Sequence, residues 1–360
     1  MRNVIIGSGV YGLSTAIELV DKGMDVSIID SNNDDIASKN ALGRLDPIFK
    51  GSGSSVKLEN NNSTQRPKDQ RNLALKSFNL HIDYYEKYYN GTPYEYEFKN
   101  IPTLQILNKN DVRVLKNEFE EINKNGFKVS ILGSNEEIKN HVPNISKYIN
   151  NAAIVEGTRF IDAKSFIYSL KRRLIDLGGN YIQNKAEKIN IEKKEITLSD
   201  SSKYDYDKLI ICAGPWTNEL LSSLNKKIDM YPAKGEIIKI EKLSSRLNYH
   251  LHGSCSIVER SDGLIWIAAT HNEYEFNSEK TKKAEKELIK KASEIIPEIS
   301  ELKKIDHTAC VRPSTKNGMP IVTEVIDSSD VYVATGGGGW GIMQCFYIGK
   351  LVLDLIKWIN

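Results

Sequence analysis

The feature that most constrains the fold is a glycine pattern, Gly7-Ser8-Gly9-Val10-Tyr11-Gly12. It follows a short apolar run, Asn3–Ile6, that predicts a buried strand, and it opens Val10–Lys22, whose apolar residues recur at helical spacing. Gly23 is expected to end this helix, and Met24–Asp30 predicts a second buried strand. Strand, glycine turn, helix and strand in this order predict a βαβ unit that binds a dinucleotide.

The three glycines of the pattern have separate roles in such a unit. Gly7 allows a tight turn, Gly9 lets the backbone approach a pyrophosphate, and Gly12 lets the helix pack close to the strand. The N–H groups of Val10 and Tyr11, with the helix dipole, are expected to hold the phosphates. A plain glycine turn in an α/β fold is the alternative, and the flanking strand and helix argue against it.

An acidic residue closes the second predicted strand. Asp30 can accept hydrogen bonds from a ribose, and Ser31 follows it. Because a carboxylate at this position disfavours a 2′-phosphate, the pattern predicts NAD or FAD in preference to NADP.

Two distant glycine-rich segments favour FAD over NAD. Lys208–Gly214 predicts a strand that ends in Ala-Gly, and Tyr332–Gly341 places a glycine run before a helix predicted at Gly341–Trp358. A larger, two-ended ligand needs a second place where the backbone approaches it closely, and glycine permits that approach. A helix N-terminus there also stabilises negative charge on a reduced flavin. The cofactor contacts predicted from these segments are Ala213, Gly214, Trp216, Gly337, Gly338, Gly339, Trp340 and Gly341.

The remaining pattern predicts a mixed α/β fold, with an antiparallel sheet inserted into a Rossmann-like domain. Strands and helices alternate over most of the chain, whereas Tyr231–Glu241, Cys255–Glu259 and Leu264–Ala269 are predicted neighbours in a second sheet. A helix is predicted at Leu73–Tyr89. Lys50–Arg71 is interpreted as a solvated loop, because Ser, Asn, Gly and Lys dominate it.

Charge and cysteine content limit the partners. The 49 basic and 47 acidic residues leave a net charge of +2, so no electrostatic argument supports nucleic acid or acidic lipid as a partner. No run reaches about 18 uninterrupted apolar residues, and the first residues lack the pattern of a signal peptide. The four cysteines lack CxxC spacing, which argues against a zinc site and fits reduced thiols. We therefore expect a cytoplasmic protein with neither a membrane nor a nucleic-acid partner.

Taken together, the motifs resemble those of the FAD-dependent oxidoreductases of the D-amino-acid oxidase superfamily, on the side of glycine oxidase and sarcosine oxidase. The resemblance extends discontinuously over most of the chain, and its most specific part is an Arg-Pro pair with a following Gly-x-Pro-Ile. The segments that carry it are Gly7–Asp30, Glu156–Leu170, Leu209–Leu221, Pro232–Glu236, Ile257–Thr270, Cys310–Ile321 and Thr335–Gly341.

The resemblance implies two domains. The FAD-binding domain is expected to comprise residues 1–80, 145–225 and 305–360, and the substrate domain residues 81–144 and 226–304, with an antiparallel sheet over the flavin. The stretch Ala37–Pro47, which includes Gly43, is expected to pass by the flavin ring, although it follows the family only in outline.

The resemblance also gives roles to two residues. Arg312 matches the position whose guanidinium holds a substrate carboxylate, and a planar fork suits that role because it makes two charge-assisted hydrogen bonds. A structural ion pair is the alternative for Arg312. Cys310 lies where the sarcosine oxidase branch attaches its flavin covalently, whereas glycine oxidases hold FAD without that bond. We expect non-covalent FAD, with Cys310 as a small buried filler.

Two departures from the family leave the substrate and the electron acceptor open. Ser256 stands where amino-acid oxidases have a tyrosine that helps to hold the carboxylate, and Trp266 is nearest to the lysine that promotes oxygen reduction in the sarcosine branch. The further candidate ligands or bases near the predicted roof of the flavin, which lack metal spacing, are His250, His252, His271 and Tyr249.

The expected reaction is oxidation of a C–N bond in an amine or amino acid. A hydride passes from the carbon alpha to nitrogen to flavin N5, the imine hydrolyses, and oxygen reoxidises the flavin to give hydrogen peroxide. The alternatives are a dehydrogenase that passes electrons to a carrier, a non-catalytic flavin-binding subunit of a larger complex, and an NAD-dependent dehydrogenase. The expected partners are a small amine or amino acid, oxygen or an electron carrier, and, as an open case, a second copy of the chain.

Overall fold

The computed structural model describes residues 1–33, 36–49, 68–327 and 329–358. Its strands are β1 (Arg2–Ile6), β2 (Asp25–Asp30), β3 (Arg44–Leu45), β4 (Phe98–Asn100), β5 (Thr103–Ile106), β6 (Lys128–Leu132), β7 (Ala152–Glu156), β8 (Arg159–Ile161), β9 (Asn180–Gln183), β10 (Ala186–Asn190), β11 (Glu195–Leu198), β12 (Lys203–Asp205), β13 (Lys208–Ile211), β14 (Tyr231–Ile240), β15 (His250–His252), β16 (Ser256–Glu259), β17 (Ile265–Ala268), β18 (Asn272–Glu273), β19 (Lys304–Ser314), β20 (Ile321–Glu324) and β21 (Val331–Thr335).

The helices connect these strands and cover the sheets. They are α1 (Val10–Val20), α2 (Lys68–Tyr84, continued by a π-helical turn at Tyr85–Tyr89), α3 (Lys109–Lys124), α4 (Asn135–Lys139), α5 (Ala163–Asp176), α6 (Thr217–Ser222), α7 (Lys282–Ile295) and α8 (Gly341–Trp358), with 3-10 segments at Gly214–Trp216, Pro297–Glu301 and Gly338–Trp340.

The first of the two large sheets has the strand order β20-β21-β13-β1-β2-β9. Its strands are parallel, except that β20 is antiparallel to β21. The apolar run in β1 is buried on both faces, as parallel strands between helix layers require. Ile6 of β1 lies in register with Ile211 of β13 and with Ile29 of β2. The carboxyl ends of these three strands therefore meet at one edge, which is where ligands bind in open α/β sheets.

The two helices that frame this edge are in direct contact. The Ser14 hydroxyl of α1 donates to the Cys345 carbonyl of α8 at 2.7 Å. A Cβ at Gly349 would lie 2.9 Å from the Ser14 carbonyl oxygen, so glycine permits this close approach. The stretch Gly338–Lys357 is long and apolar enough to cross a membrane, but 61% of its apolar window is buried inside the fold. Packing in the core therefore accounts for its composition.

The second large sheet is mostly antiparallel, in the order β18-β14-β17-β16-β15-β5-β7-β6, and β19 pairs with β14. Along each strand of this sheet, successive side chains point to opposite faces. On β14, Ile238 and Ile240 join the core under α7, whereas Gly235 and Ile237 face the other way and line a cavity. The predicted mixed α/β fold with an inserted antiparallel sheet is confirmed.

The two domain ranges stay a prediction. Within residues 145–225 and 305–360, which are expected to belong to the FAD-binding domain, the strands β7 and β19 join the antiparallel sheet. The predicted loop Lys50–Arg71 lies mostly outside the described residues. Its last four residues, Lys68–Arg71, begin α2, and the loop prediction is wrong for them because Gln70 and Arg71 are buried against neighbouring elements.

Candidate functional site

The glycine turn after β1 has the geometry that the sequence predicts for a phosphate-binding turn. Gly7 has φ +103°, and a Cβ there would lie 2.4 Å from the Cys212 carbonyl oxygen. Gly9 begins α1 with extended backbone, and as a glycine it offers no side chain of its own to cap the helix. The Val10 N–H donates to the Ser38 hydroxyl at 3.2 Å. The helix N-terminus thus presents donor groups and the positive end of its dipole to the space beside it.

Gly12 has a packing role. A Cβ at this position would lie 1.8 Å from the Gly7 carbonyl oxygen, so any side chain would push α1 away from the turn. Gly12 was also predicted to bind the cofactor, but it does not line the cavity described below, because its side of the helix packs against the turn.

Asp30 is held rigidly at the end of β2. One carboxylate oxygen accepts the Ser8 N–H and the other accepts the Asn32 N–H, each at 2.6 Å. Each oxygen keeps a further lone pair, and Asp30 and Ser31 both line the cavity. The carboxylate is therefore placed to accept hydrogen bonds from hydroxyl groups of a ligand.

The two distant glycine-rich segments meet each other at the same edge of the sheet. Gly214 has φ +56°, and its carbonyl oxygen accepts the Thr335 hydroxyl at 3.2 Å. Gly336 follows β21 with φ +80°, and a Cβ at Gly337 would lie 2.7 Å from the Tyr11 hydroxyl oxygen. Glycines that are far apart in sequence therefore come together at this edge, and below they are called the glycine surface.

One cavity of about 770 Å³ runs along this surface. Except for Gly12, every residue predicted to contact cofactor or substrate lines it: Gly7, Gly9, Val10, Tyr11, Asp30, Ser31, Gly43, Ala213, Gly214, Trp216, Gly337, Gly338, Gly339, Trp340, Gly341, Cys310 and Arg312. The sequence analysis did not single out several other residues of the wall, among them Ser38, Arg44, Asn184, Lys185, Gly235 and Thr315.

Arg312 projects from β19 into the cavity. Its Nη2 donates to the Thr270 carbonyl oxygen at 3.0 Å, and its guanidinium lies over the backbone of Gly235. No carboxylate of the described residues lies within 4.0 Å of it. The other arginine of the wall, Arg44, is neutralised by a salt bridge to buried Asp46. Arg312 is therefore the wall arginine whose charge is left for a ligand.

His271 lies in the same wall beside Arg312. Burial, and then the positive charge of Arg312, lower its pKa to about 4. Both ring nitrogens are buried without a hydrogen-bond partner among the described residues. The imidazole is therefore neutral at pH 7 and faces the cavity with one donor and one acceptor.

The structure separates the other candidates near the roof from the cavity. The Tyr249 hydroxyl meets His141 Nδ1 at 2.8 Å, on the protein surface. Trp266 donates its indole N–H to Asp262 at 3.0 Å and does not line the cavity. His252 Nδ1 lies 3.0 Å from the Ser256 hydroxyl, and of these two only Ser256 reaches the wall. Buried His250 also lies behind the wall.

The residues present fit a two-ended dinucleotide. The cavity of about 770 Å³ has the size of a cofactor site. Glycine at positions 7 and 337 lets the segments that form its wall pack together, because a Cβ at either position would lie within 2.7 Å of a neighbouring segment. The N-terminus of α1 suits phosphate, and Asp30 suits a ribose. Arg312 lies at the roof formed by β14, β16, β17 and β19.

Comparison with known proteins agrees with this geometry. A family model described as FAD dependent oxidoreductase matches residues 2–355. Glycine oxidase of Pseudomonas aeruginosa is 28% identical over 152 residues, which cover 42% of this chain and 42% of that protein, less than half of its length. Glycine oxidase of Bacillus licheniformis is 25% identical over 272 residues, 72% of this chain and 73% of that protein.

The fold is also that of a solved structure. The crystal structure of glycine oxidase from Geobacillus kaustophilus superposes with a TM-score of 0.85 at 20% identity, covering 100% of this chain and 95% of that one. At this identity the likeness establishes the shared architecture, with its parallel and antiparallel sheets.

Proposed function

The chain belongs to the family of FAD-dependent oxidoreductases, and from that premise we propose that it oxidises the C–N bond of an amine that carries a carboxylate. The observation that supports this substrate class is Arg312, a cavity-lining guanidinium without a carboxylate partner among the described residues. A guanidinium in that setting binds a carboxylate through two charge-assisted hydrogen bonds.

The residues that would hold FAD are those of the glycine surface. The N-terminus of α1 would take the pyrophosphate, Asp30 a ribose, and the segments around Gly214 and Gly338 the remainder of the cofactor. FAD supplies the hydride-accepting chemistry when it is bound. The protein supplies orientation and electrostatics.

Arg312 fixes the carboxylate, and so the carbon next to it, at one place under the roof. Ile237 and Ala268 line the cavity with apolar surface, which excludes water from this place. A dry wall beside a cation also favours the neutral form of the amine. Because the neutral amine has a free electron pair on nitrogen, it can be oxidised to the imine without a protein base. Water then hydrolyses the imine, and oxygen reduced to hydrogen peroxide balances the two electrons.

A dehydrogenase that passes electrons to a carrier is the second candidate. The lysine that lines the described part of the cavity is Lys185, which follows β9 at the Asp30 end of the cavity. Lys234, next to Gly235, points to the other face of the sheet, with Nζ 2.8 Å from Asn277 Oδ1. No lysine of the described wall therefore lies beside Arg312 to promote oxygen reduction.

The test is anaerobic reduction of the bound flavin. The purified protein is mixed without oxygen with glycine, sarcosine and both enantiomers of other amino acids, and flavin absorbance is followed. Bleaching by a carboxylated amine supports the proposal, and peroxide after admission of air identifies an oxidase. Bleaching without peroxide, and with reduction of an artificial dye, identifies the dehydrogenase. If no amine of the panel bleaches the flavin, the proposed function is contradicted. The alternative that then remains is a non-catalytic flavin-binding subunit of a larger complex.

A further inference from the structure

His271 stands out because its imidazole lies in the cavity wall without a partner. Neither Nδ1 nor Nε2 makes a hydrogen bond with any described residue, and both atoms are buried. Buried polar atoms in folded proteins are almost always paired with protein, water or ligand. Here the cavity is the place from which a partner can come.

Two buried histidines of the antiparallel sheet behave differently. His307 Nε2 lies 2.8 Å from a carboxylate oxygen of Glu236, and His252 Nδ1 lies 3.0 Å from the Ser256 hydroxyl. These two histidines are held by protein groups. The distance from His271 Nε2 to Oε1 of Glu273 is 3.9 Å, which is longer than a hydrogen bond.

The chain connectivity places His271 next to Arg312. Thr270, the residue before it, accepts the Arg312 guanidinium through its carbonyl oxygen at 3.0 Å. Both side chains line the same cavity, and the charge of Arg312 is felt at the imidazole. A carboxylate bound by the guanidinium would therefore lie in the cavity that the imidazole also borders.

We propose that His271 is a substrate-binding residue whose neutral imidazole N–H donates a hydrogen bond to the carboxylate held by Arg312. This inference rests on the proposed function, since it requires a carboxylated substrate. It makes His271 a determinant of specificity, because an amine without a carboxylate gains nothing from either residue.

A role as the base that removes the ammonium proton does not fit. The imidazole has a pKa of about 4, and burial is the larger cause. A carboxylate bound to Arg312 would offset only the smaller cause of the lowered pKa, which is the positive charge of Arg312. Proton transfer to it from an alkylammonium group, whose pKa is about 10, would be unfavourable by roughly six powers of ten. A neutral hydrogen-bond donor is the role that remains.

The experiment compares His271→Gln, which keeps an N–H donor, with His271→Leu, which has similar bulk and no donor. Acetate is titrated into the holoenzyme and its Kd is read from the change in the flavin spectrum. KM and kcat are measured for a carboxylated amine and for an analogue without the carboxylate. His141→Leu is the matched control, since His141 is exposed and pairs with Tyr249 outside the cavity.

The expected result is that His271→Leu weakens acetate binding and raises KM for the carboxylated amine by roughly ten- to a hundred-fold. The acetate Kd and the KM of His271→Gln should stay within about five-fold of the wild-type values, and those of His141→Leu should equal the wild-type values. The analogue without a carboxylate should show no difference between variants. In wild type the Kd of acetate should be constant between pH 6 and 9, because the donor is neutral throughout.

Acetate binding by His271→Leu that equals wild type overturns the inference. A wild-type Kd for acetate that tightens as pH falls from 9 to 6 also overturns the inference, if this pH dependence is absent in His271→Gln. That pair of results would identify a cationic imidazole. Arg312→Ala separates this failure from that of the proposed function. If Arg312→Ala loses acetate and His271→Leu does not, only the inference fails. If neither variant loses acetate, the carboxylate site itself is wrong.

Discussion

The Arg312 guanidinium occupies the space that any side chain at Gly235 would need. The two residues lie on paired antiparallel strands, β19 and β14, where Gly235 is directly opposite Cys310. A Cβ at position 235 would lie 1.4 Å from Arg312 Nη2 and 2.2 Å from its Cζ. Because glycine has no side chain, Gly235 leaves the face of β14 open beneath the Arg312 guanidinium. This open space allows the arginine to take the orientation seen in the structure.

We expect Gly235→Ala to displace the guanidinium without unfolding the sheet, because the clash is with the end of a flexible side chain. The value of kcat/KM for a carboxylated amine should fall by roughly ten- to several-hundred-fold, the loss expected for one charged hydrogen bond. Flavin content should be unchanged. Gly133→Ala is the control, since a Cβ at Gly133 meets no atom within 4 Å. Full activity of Gly235→Ala would show that the contact does not position Arg312.

Arg312→Ala should leave folding and the flavin spectrum nearly intact while kcat/KM for carboxylated amines falls by roughly ten- to several-hundred-fold. Arg312→Lys should recover only part of the loss, because an ammonium restores charge without the planar fork. Amines that lack a carboxylate should be little affected. The measurement is kcat/KM for both kinds of substrate. An equal fall for both would assign Arg312 a structural role.

Gly9→Leu should abolish flavin binding in a protein that still folds. Backbone strain is absent at Gly9, and a Cβ there would meet the Ser38 hydroxyl at 3.3 Å, so that side chain must shift by a few tenths of an ångström. Because Gly9 and Ser38 both line the cavity, we expect the added side chain to occupy space that the cofactor needs. The ratio of flavin to protein and the Kd from FAD titration measure the effect, with Gly133→Leu as control. Gly12→Ala should instead reduce soluble yield, because its Cβ would lie 1.8 Å from a backbone oxygen. Normal FAD binding by Gly9→Leu would place the pyrophosphate elsewhere.

Acid precipitation of the holoprotein should release the flavin into the supernatant. Cys310 is buried and lines the cavity, so a covalent bond is the one alternative that the site allows. Cys310→Ser should therefore leave the amount of released flavin unchanged. Yellow pellets from wild type that become colourless in Cys310→Ser would establish a covalent link.

The free energy of unfolding should fall as pH drops from 7.5 to 4.5, in part because of His81. Burial lowers the pKa of His81 to about 4, whereas the unfolded chain titrates near its ordinary value of 6.5. Between these values the unfolded chain binds more protons than the native one, so stability is lost as pH falls. His81→Gln should remove about 2–3 kcal/mol of this loss. Urea unfolding at both pH values measures it, with exposed His141→Gln as control. An unchanged pH dependence in His81→Gln would mean that the imidazole is solvated.

Segments with a strong local period were predicted well. The helix predicted at Gly341–Trp358 has those bounds in the structure. Its apolar residues repeat at the helical period, so local sequence suffices. The glycine turn after β1 is equally local.

Elements that depend on distant partners were not predictable in this way. β19 contains His307, Arg312 and Pro313 and has no clear alternation, and it is a strand because it pairs with β14 along nearly its whole length. Gly235 did carry a signal, since a glycine inside an apolar strand often marks a close approach. His271 was named together with three neighbours, and only the folded arrangement separates it from them.

The contact between α1 and α8 has a consequence for the order of events during synthesis. Ser14 and Cys345, joined by a hydrogen bond, are separated by 331 positions in the chain. A ribosome that adds about 5–20 residues per second needs roughly 20–60 s to cover that distance. For this time the apolar face of the nascent α1 has no α8 to cover it, and the wall that α8 contributes is missing. Cofactor loading is therefore a late step, and a chaperone that shields α1 has a defined interval in which to act.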